Sequence, residues 1–135
     1  MDIAQSAQQL LKQKQVVIQK FYDIFLGRYP EVRPYFENVN LRHQATLLTM
    51  ALIMVESHYS QSYPAITHYL HVLGHRHHQN GVKPEHFAKF RDCLLETLAE
   101  FHGEDWSAAL AAQWQEAIDK AAGTMLEGYE RPYTY

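Results

Sequence analysis

The chain has 135 residues and a formal net charge of -3, which is enough for one compact domain and leaves no room for a second. Hydrophobic residues make up 47% and charged residues 20% of the sequence, the composition of an ordinary soluble globular protein. Because Lys and Arg are not in excess, the chain lacks the basic character of nucleic-acid-binding proteins, and no nucleic acid is expected as a partner.

The N-terminal segment lacks the features of a targeting sequence. Asp2 is acidic and no continuous apolar core follows it, so we expect neither a secretion signal nor a membrane anchor. The longest mostly apolar stretch, residues 47–55, is about half the length of a membrane-spanning helix, so no membrane association is expected. Cys93 has no second cysteine with which to pair, which favours a cytoplasmic location.

Apolar residues recur at three- and four-residue spacings along the chain, so the sequence predicts an all-α protein with a single domain. Prolines and glycines mark the helix boundaries, with Pro84 in the first turn of a helix and Asp105 as an N-cap. The predicted helices cover residues 3–12, 15–29, 41–59, 65–79, 84–102 and 105–128, with an irregular turn through Pro34 and Phe36 and a tail from about residue 129.

The second predicted helix places a tyrosine hydroxyl in the core. Ile18, Tyr22, Phe25 and Tyr29 share one face of it. The buried hydroxyl of Tyr22 requires a partner, which is either a backbone carbonyl or a bound polar ligand.

The third predicted helix carries a glutamine within its apolar stripe. Gln44 lies one turn before Leu48, and burying an amide without partners costs about 1–3 kcal/mol, so Gln44 requires a protein or ligand partner. His43 lies at the margin of the stripe, beside a second apolar band that includes Leu47 and Met50. A small rotation of the helix brings His43 inward instead, so both residues are candidates.

The fourth predicted helix is unusually rich in histidine, and the chain has 9 in total. At about 100° per residue, His77 lies on the side that carries Leu70 and Leu73. A buried neutral imidazole is either hydrogen-bonded within the core or a nitrogen ligand for a metal such as iron.

Four other histidines lie on the opposite side of this helix, and their spacing would allow them to hold a zinc or nickel ion. We expect a solvent-exposed stripe instead, because a structural zinc site is usually closed by a residue from a second segment. These residues are His68, His71, His75 and His78.

Three stretches together resemble the globins, specifically the bacterial single-domain haemoglobins and the haem domains of flavohaemoglobins. FYDIFLGRYPEVRPYF, residues 21–36, is similar to the family's helix with a Phe-Tyr pair, followed by Pro-Glu-Val-Arg-Pro and an aromatic residue that packs on haem. LGHRHHQNGV, residues 73–82, is similar to the proximal segment, in which a histidine shortly precedes Gly-Val. NLRHQATLL, residues 40–48, is similar to the start of the distal helix.

The resemblance implies a globin fold, with helices in a three-over-three sandwich around haem b and His77 as the ligand to the iron. It also implies that Tyr22, Gln44 and Leu48 lie beside a diatomic gas ligand, with His43 as the alternative distal residue and a potential iron ligand. The residues expected to contact haem are Phe36, Leu48, Leu73, His77 and Phe87.

Two positions depart from the flavohaemoglobin pattern, in which a tyrosine and a glutamate brace the proximal histidine. Phe87 stands in place of that tyrosine and Tyr129 in place of the glutamate, with Glu127 and Glu130 off register. Without the charged brace we expect His77 to be a largely neutral imidazole, which favours ligand binding over oxidative chemistry.

The leading hypothesis for function is reversible binding of oxygen, and of CO and NO, for transport or storage. A second hypothesis is a nitric oxide dioxygenase that works with a separate reductase, and a third is the oxygen-sensing input module of a larger protein. An interaction domain that has lost haem fits poorly with His77, Phe36 and Tyr22.

Overall fold

The computed structural model describes residues 1–130, which form six α-helices and three short 3-10 helices. The α-helices are α1 (Ile3–Lys12), α2 (Lys14–Arg28), α3 (Leu41–Ser60), α4 (Pro64–Gln79), α5 (Glu85–His102) and α6 (Ala108–Glu127), and the 3-10 helices are Pro30–Phe36, Gly103–Asp105 and Gly128–Glu130. These residues contain no strand, so the all-α prediction is confirmed. Along the same stretch, no helix is long and apolar enough to cross a membrane.

The helices pack so that α6 supports both α3 and α4. Helix α4 packs chiefly against α6 and the following 3-10 helix, whereas α3 packs against α2 and α6. Helix α2 also packs against α5, and fully buried Phe21 and Trp114 belong to the core between these helices. Helices α3 and α4, which carry Gln44 and His77, are therefore fixed by a common neighbour.

Side-chain caps mark the starts of α3 and α6, and the predicted positions of Asp105 and Pro84 at helix starts were wrong. Asn40 caps α3 by accepting from the backbone N–H groups of Arg42 and His43. Ser107 caps α6 by accepting from the N–H of Leu110, whereas Asp105, the expected cap, ends a 3-10 helix. Pro84 precedes α5 as its N-cap rather than lying in its first turn.

The described structure includes Tyr129, at which the sequence predicted that a tail begins. Tyr129 lies in the 3-10 helix Gly128–Glu130, and its hydroxyl donates a hydrogen bond of 2.7 Å to the carbonyl of Val82. This long-range contact fixes the end of α6 against the turn that follows α4. The remainder of the predicted tail, residues 131–135, lies outside the described residues.

Two glycines allow α4 to approach the end of α6 at backbone distance. A Cβ atom at Gly74 would lie 1.9 Å from the carbonyl oxygen of Met125, and one at Gly128 would lie 2.1 Å from that of His71. The contacts are reciprocal, since each element contributes one glycine and one carbonyl. Glycine is required at both positions because any Cβ would overlap main-chain atoms.

Candidate functional site

The imidazole of His77 is half-buried, and a hydrogen bond defines its tautomer. His77 Nδ1 lies 2.8 Å from the carbonyl oxygen of Leu73, one turn earlier in α4. A carbonyl only accepts, so Nδ1 carries the proton and the lone pair of the neutral ring lies on Nε2. Burial lowers the pKa of His77, with the Leu73 hydrogen bond partly opposing the shift. The result is a neutral imidazole whose Nε2 has the electronic state of a metal ligand.

The solvent-exposed stripe of histidines predicted for α4 is only partly present. His68 and His78 are exposed, and His78 packs on the ring of Tyr129 with centroids 4.8 Å apart, whereas His75 is half-buried. His71 is buried, and its Nε2 lies 2.8 Å from a carboxylate oxygen of Glu127 on α6. The prediction was wrong at His71 because α6 covers this part of α4. Within residues 1–130, no group of three or more His, Cys, Asp or Glu is arranged to hold a metal ion.

Phe87 and Tyr129 occupy the surroundings of His77 but offer it no charge. The ring of Phe87 stacks on that of His77 at a centroid distance of 6.4 Å, and Tyr129 lies 6.2 Å from Phe87. The Tyr129 hydroxyl donates to the carbonyl of Val82. The Leu73 carbonyl thus accepts the hydrogen bond that the Nδ1–H group of His77 donates. A backbone carbonyl increases the basicity of an imidazole less than a carboxylate does.

Tyr22 and Gln44 come together from α2 and α3. Tyr22 is buried, which raises its pKa to about 12, and a side-chain hydrogen bond with Gln44 partly opposes the shift. Because burial disfavours the phenolate, the Tyr22 hydroxyl keeps its proton and can donate a hydrogen bond. Gln44 is half-buried rather than fully buried as expected.

His43 was the alternative to Gln44 as the inward-facing residue of α3. Its side chain is exposed, as are Leu47 and Met50 of the second apolar band. The rotation that would have turned His43 inward does not occur, because Ala45 and Leu52 are buried on the main stripe. Gln44, rather than His43, therefore reaches Tyr22.

The remaining predicted site residues share one property: they are apolar, half-buried and packed against the core. The ring of Phe36 meets Tyr22 edge-on at 5.2 Å. Such partly covered apolar surfaces suit contact with a flat, mostly apolar cofactor. These residues are Phe36, Leu48, Leu73 and Phe87.

Comparison with known proteins identifies the family. The family model described as Globin matches residues 19–125 of this chain. The chain belongs to the globin family. This globin is similar to the flavohemoprotein of Pseudomonas aeruginosa, with 30% identity over 132 residues, which are 88% of this chain and 31% of that protein.

Flavohemoproteins from the genus Bacillus are similar to a comparable degree. Those of Bacillus anthracis and Bacillus cereus are each 29% identical over 104 residues, which are 76% of this chain and 26% of theirs. The chain thus spans less than a third of the length of these relatives.

Membership of the globin family implies haem and diatomic gas ligands. The donor set fits this cofactor, since His77 offers a neutral Nε2 and the half-buried, apolar ring of Phe87 stacks on it. His77 is therefore the residue of this globin that could hold the iron.

Some contacts that shape the site were missed from the sequence. The hydroxyls of Tyr35 and Tyr129 each bond a carbonyl in the turn after α4. Neither tyrosine belongs to an extended apolar stripe, so helical periodicity gave no signal for them. Gly74 and Gly128 carry a signal in principle, since a glycine within or ending a helix often marks close packing, but the partner element is not readable from spacing.

Proposed function

We propose that this globin reversibly binds oxygen, and also CO and NO, with Tyr22 as the hydrogen-bond donor to the ligand. The observation that carries this proposal is the buried Tyr22 hydroxyl, which keeps its proton and has Gln44 as a neighbour. Because its pKa is about 12, this hydroxyl remains a donor throughout the physiological pH range. A hydrogen bond to a ligand with partial negative charge slows its release.

In this proposal His77 would hold the cofactor. Haem b supplies the iron atom to which the gas attaches, and His77 Nε2 supplies the protein ligand to that iron. The Leu73 carbonyl keeps the Nδ1 proton in place and fixes the orientation of the ring. Phe36, Leu48 and Phe87 contribute apolar surface that excludes water.

The uncharged environment of His77 favours binding over oxidative activation. Its Nδ1 donates to a backbone carbonyl, and Phe87 and Tyr129 stand where the flavohaemoglobin pattern has tyrosine and glutamate. A carboxylate partner would increase the electron density on the imidazole and assist cleavage of a bound ligand. A neutral imidazole is better suited to holding an intact diatomic molecule.

Replacing Tyr22 with Phe tests the proposal. We expect the oxygen dissociation rate, measured by stopped-flow displacement with CO, to rise about tenfold, because a hydrogen bond worth ~1.4 kcal/mol is lost. Tyr59→Phe is a matched control, since the Tyr59 hydroxyl bonds Glu116 at the surface, 3.0 Å away. An unchanged rate in Tyr22→Phe would refute the role of Tyr22, and absence of a Soret band after haem addition would refute haem binding.

Nitric oxide dioxygenation is a second candidate, favoured by similarity to proteins named flavohemoproteins, a name that joins a flavin to haem. In that reaction nitric oxide, oxygen and one electron give nitrate, and a separate flavin reductase would supply the electron. Mixing the oxygen-loaded protein with excess nitric oxide distinguishes the candidates. Multiple turnovers with a reductase and NADH would support the enzyme, and one stoichiometric burst would support the carrier.

A further inference from the structure

The turn that follows His77 is held by two tyrosine hydroxyls. Tyr35 donates a hydrogen bond of 2.8 Å to the carbonyl of Gly81, and Tyr129 donates one of 2.7 Å to the carbonyl of Val82. Two consecutive carbonyls of one short turn are thus each bonded by a phenol. Gly81 has φ of 83°, a conformation that glycine adopts without strain, so the turn has a defined shape.

The two tyrosines come from elements far apart in the chain. Tyr35 lies in the 3-10 helix Pro30–Phe36 and Tyr129 in the 3-10 helix Gly128–Glu130. Burial raises the pKa of Tyr129, and the nearby Tyr35 adds to that increase. The hydroxyl of Tyr129 therefore stays protonated as a donor, and these tertiary bonds hold the turn in addition to its backbone bonds to the end of α4.

The same turn is hydrogen-bonded to the backbone of His77. The N–H of Val82 donates a hydrogen bond of 3.0 Å to the carbonyl of His77, and the carbonyl of Val82 accepts one from the Tyr129 hydroxyl. Val82 therefore connects Tyr129 to the backbone of His77. A second connection passes through side chains, because the ring of Phe87 contacts the rings of both His77 and Tyr129. Movement of Tyr129 would therefore reach both the backbone and the ring of His77.

We propose that Tyr35 and Tyr129 form a clamp on Gly81 and Val82 that positions the His77 imidazole. Both are positioning residues, because they act on His77 through the turn and through Phe87. In this protein the orientation of His77 depends on hydroxyl-to-carbonyl bonds and aromatic packing instead of a charged partner. The inference rests on the proposed role of His77 as the iron ligand.

The test removes one hydroxyl at a time and leaves each ring in place. In Tyr129→Phe and in Tyr35→Phe, we expect the amide hydrogen exchange of Val82, followed by NMR, to accelerate about fivefold. In the double variant the increase should differ from the product of the two single effects, because both bonds hold one turn. Tyr59→Phe, which removes a surface hydroxyl bonded to Glu116, should leave Val82 exchange unchanged.

A second measurement reports on the histidine itself. In the ferrous haem-loaded protein, the iron–histidine stretching band in the resonance Raman spectrum should shift or broaden in Tyr129→Phe and remain in place in Tyr59→Phe. Unchanged Val82 exchange overturns the clamp, and faster exchange with an unaltered band overturns its positioning role. A wild-type protein that takes up no haem refutes the proposed function and with it the positioning role, while Val82 exchange still decides whether the clamp exists.

Discussion

At the residue scale, the chemistry of this site depends on which atoms hold protons. His77 has its proton on Nδ1 because a backbone carbonyl can only accept, and Tyr22 keeps its proton because burial disfavours the phenolate. Both residues were singled out from the sequence, through helical faces and through resemblance, and a neutral His77 was predicted as well. The tautomer of His77 was not predictable, because it depends on the bond to the Leu73 carbonyl.

The placement of Gln44 and His43 leads to a prediction about iron coordination. Because His43 is exposed and Gln44 reaches Tyr22, we expect the deoxy ferrous protein to show one broad high-spin visible band. The spectrum should be the same in His43→Ala. A split low-spin band in the wild-type protein that disappears in His43→Ala would show instead that His43 occupies the distal position on iron.

At the element scale, helix α4 illustrates how a face can be misjudged from one sequence. Its leucines indicated one core-facing side, yet His71 on the other side is also buried and bonds Glu127. The polar side chain concealed this contact, since a histidine satisfied by Glu127 is compatible with burial. The histidine side is thus partly covered, and hydrophobic periodicity detects only the apolar side.

The close approach of α4 and α6 predicts opposite effects for two glycine substitutions. Gly74→Ala should destabilise the protein by about 2 kcal/mol or more, because its Cβ would lie 1.9 Å from the Met125 carbonyl oxygen. Gly123→Ala, on α6 with nothing within 4 Å of its Cβ, should stabilise by up to ~1 kcal/mol through helix propensity.

Urea unfolding followed by far-UV circular dichroism measures both changes in the free energy of unfolding. Equal stability of Gly74→Ala and the wild-type protein would mean that the helices can separate without cost, and the inferred backbone packing would then be incorrect.

At the scale of the whole molecule, a buried polar network joins helices from both ends of the chain. Trp114 Nε1 donates to the Ser6 hydroxyl at 2.9 Å, and that hydroxyl lies 2.6 Å from His102 Nε2. The network connects α1, α5 and α6 where they meet. Burial lowers the pKa of His102, with Asp105 partly opposing, and burial likewise lowers the pKa of His58.

These lowered pKa values predict acid sensitivity of the whole fold. The unfolded chain takes up protons on His102 and His58 as the pH falls below about 6.5, before the folded protein does. Stability is therefore complete above that pH and decreases as the pH falls through the folded pKa values.

We expect His102→Gln to show a shallower loss of unfolding free energy between pH 7 and pH 5, measured by urea unfolding. His43→Gln, at an exposed position, should keep the wild-type dependence on pH. A slope in His102→Gln as steep as that of the wild-type protein would exclude His102 as a source of the acid sensitivity.

The sequence by itself determined the all-α class, most helix boundaries, and the residues that match the globin pattern, because helical periodicity and short motifs are local properties. Membership of the family was likewise readable from three short stretches. The tertiary structure alone decided which atoms of those residues interact. The pairing of Tyr22 with Gln44, the covering of His71 by α6 and the two tyrosines on the turn after His77 each join distant segments. Only packing of the whole chain places such groups within hydrogen-bonding distance of one another.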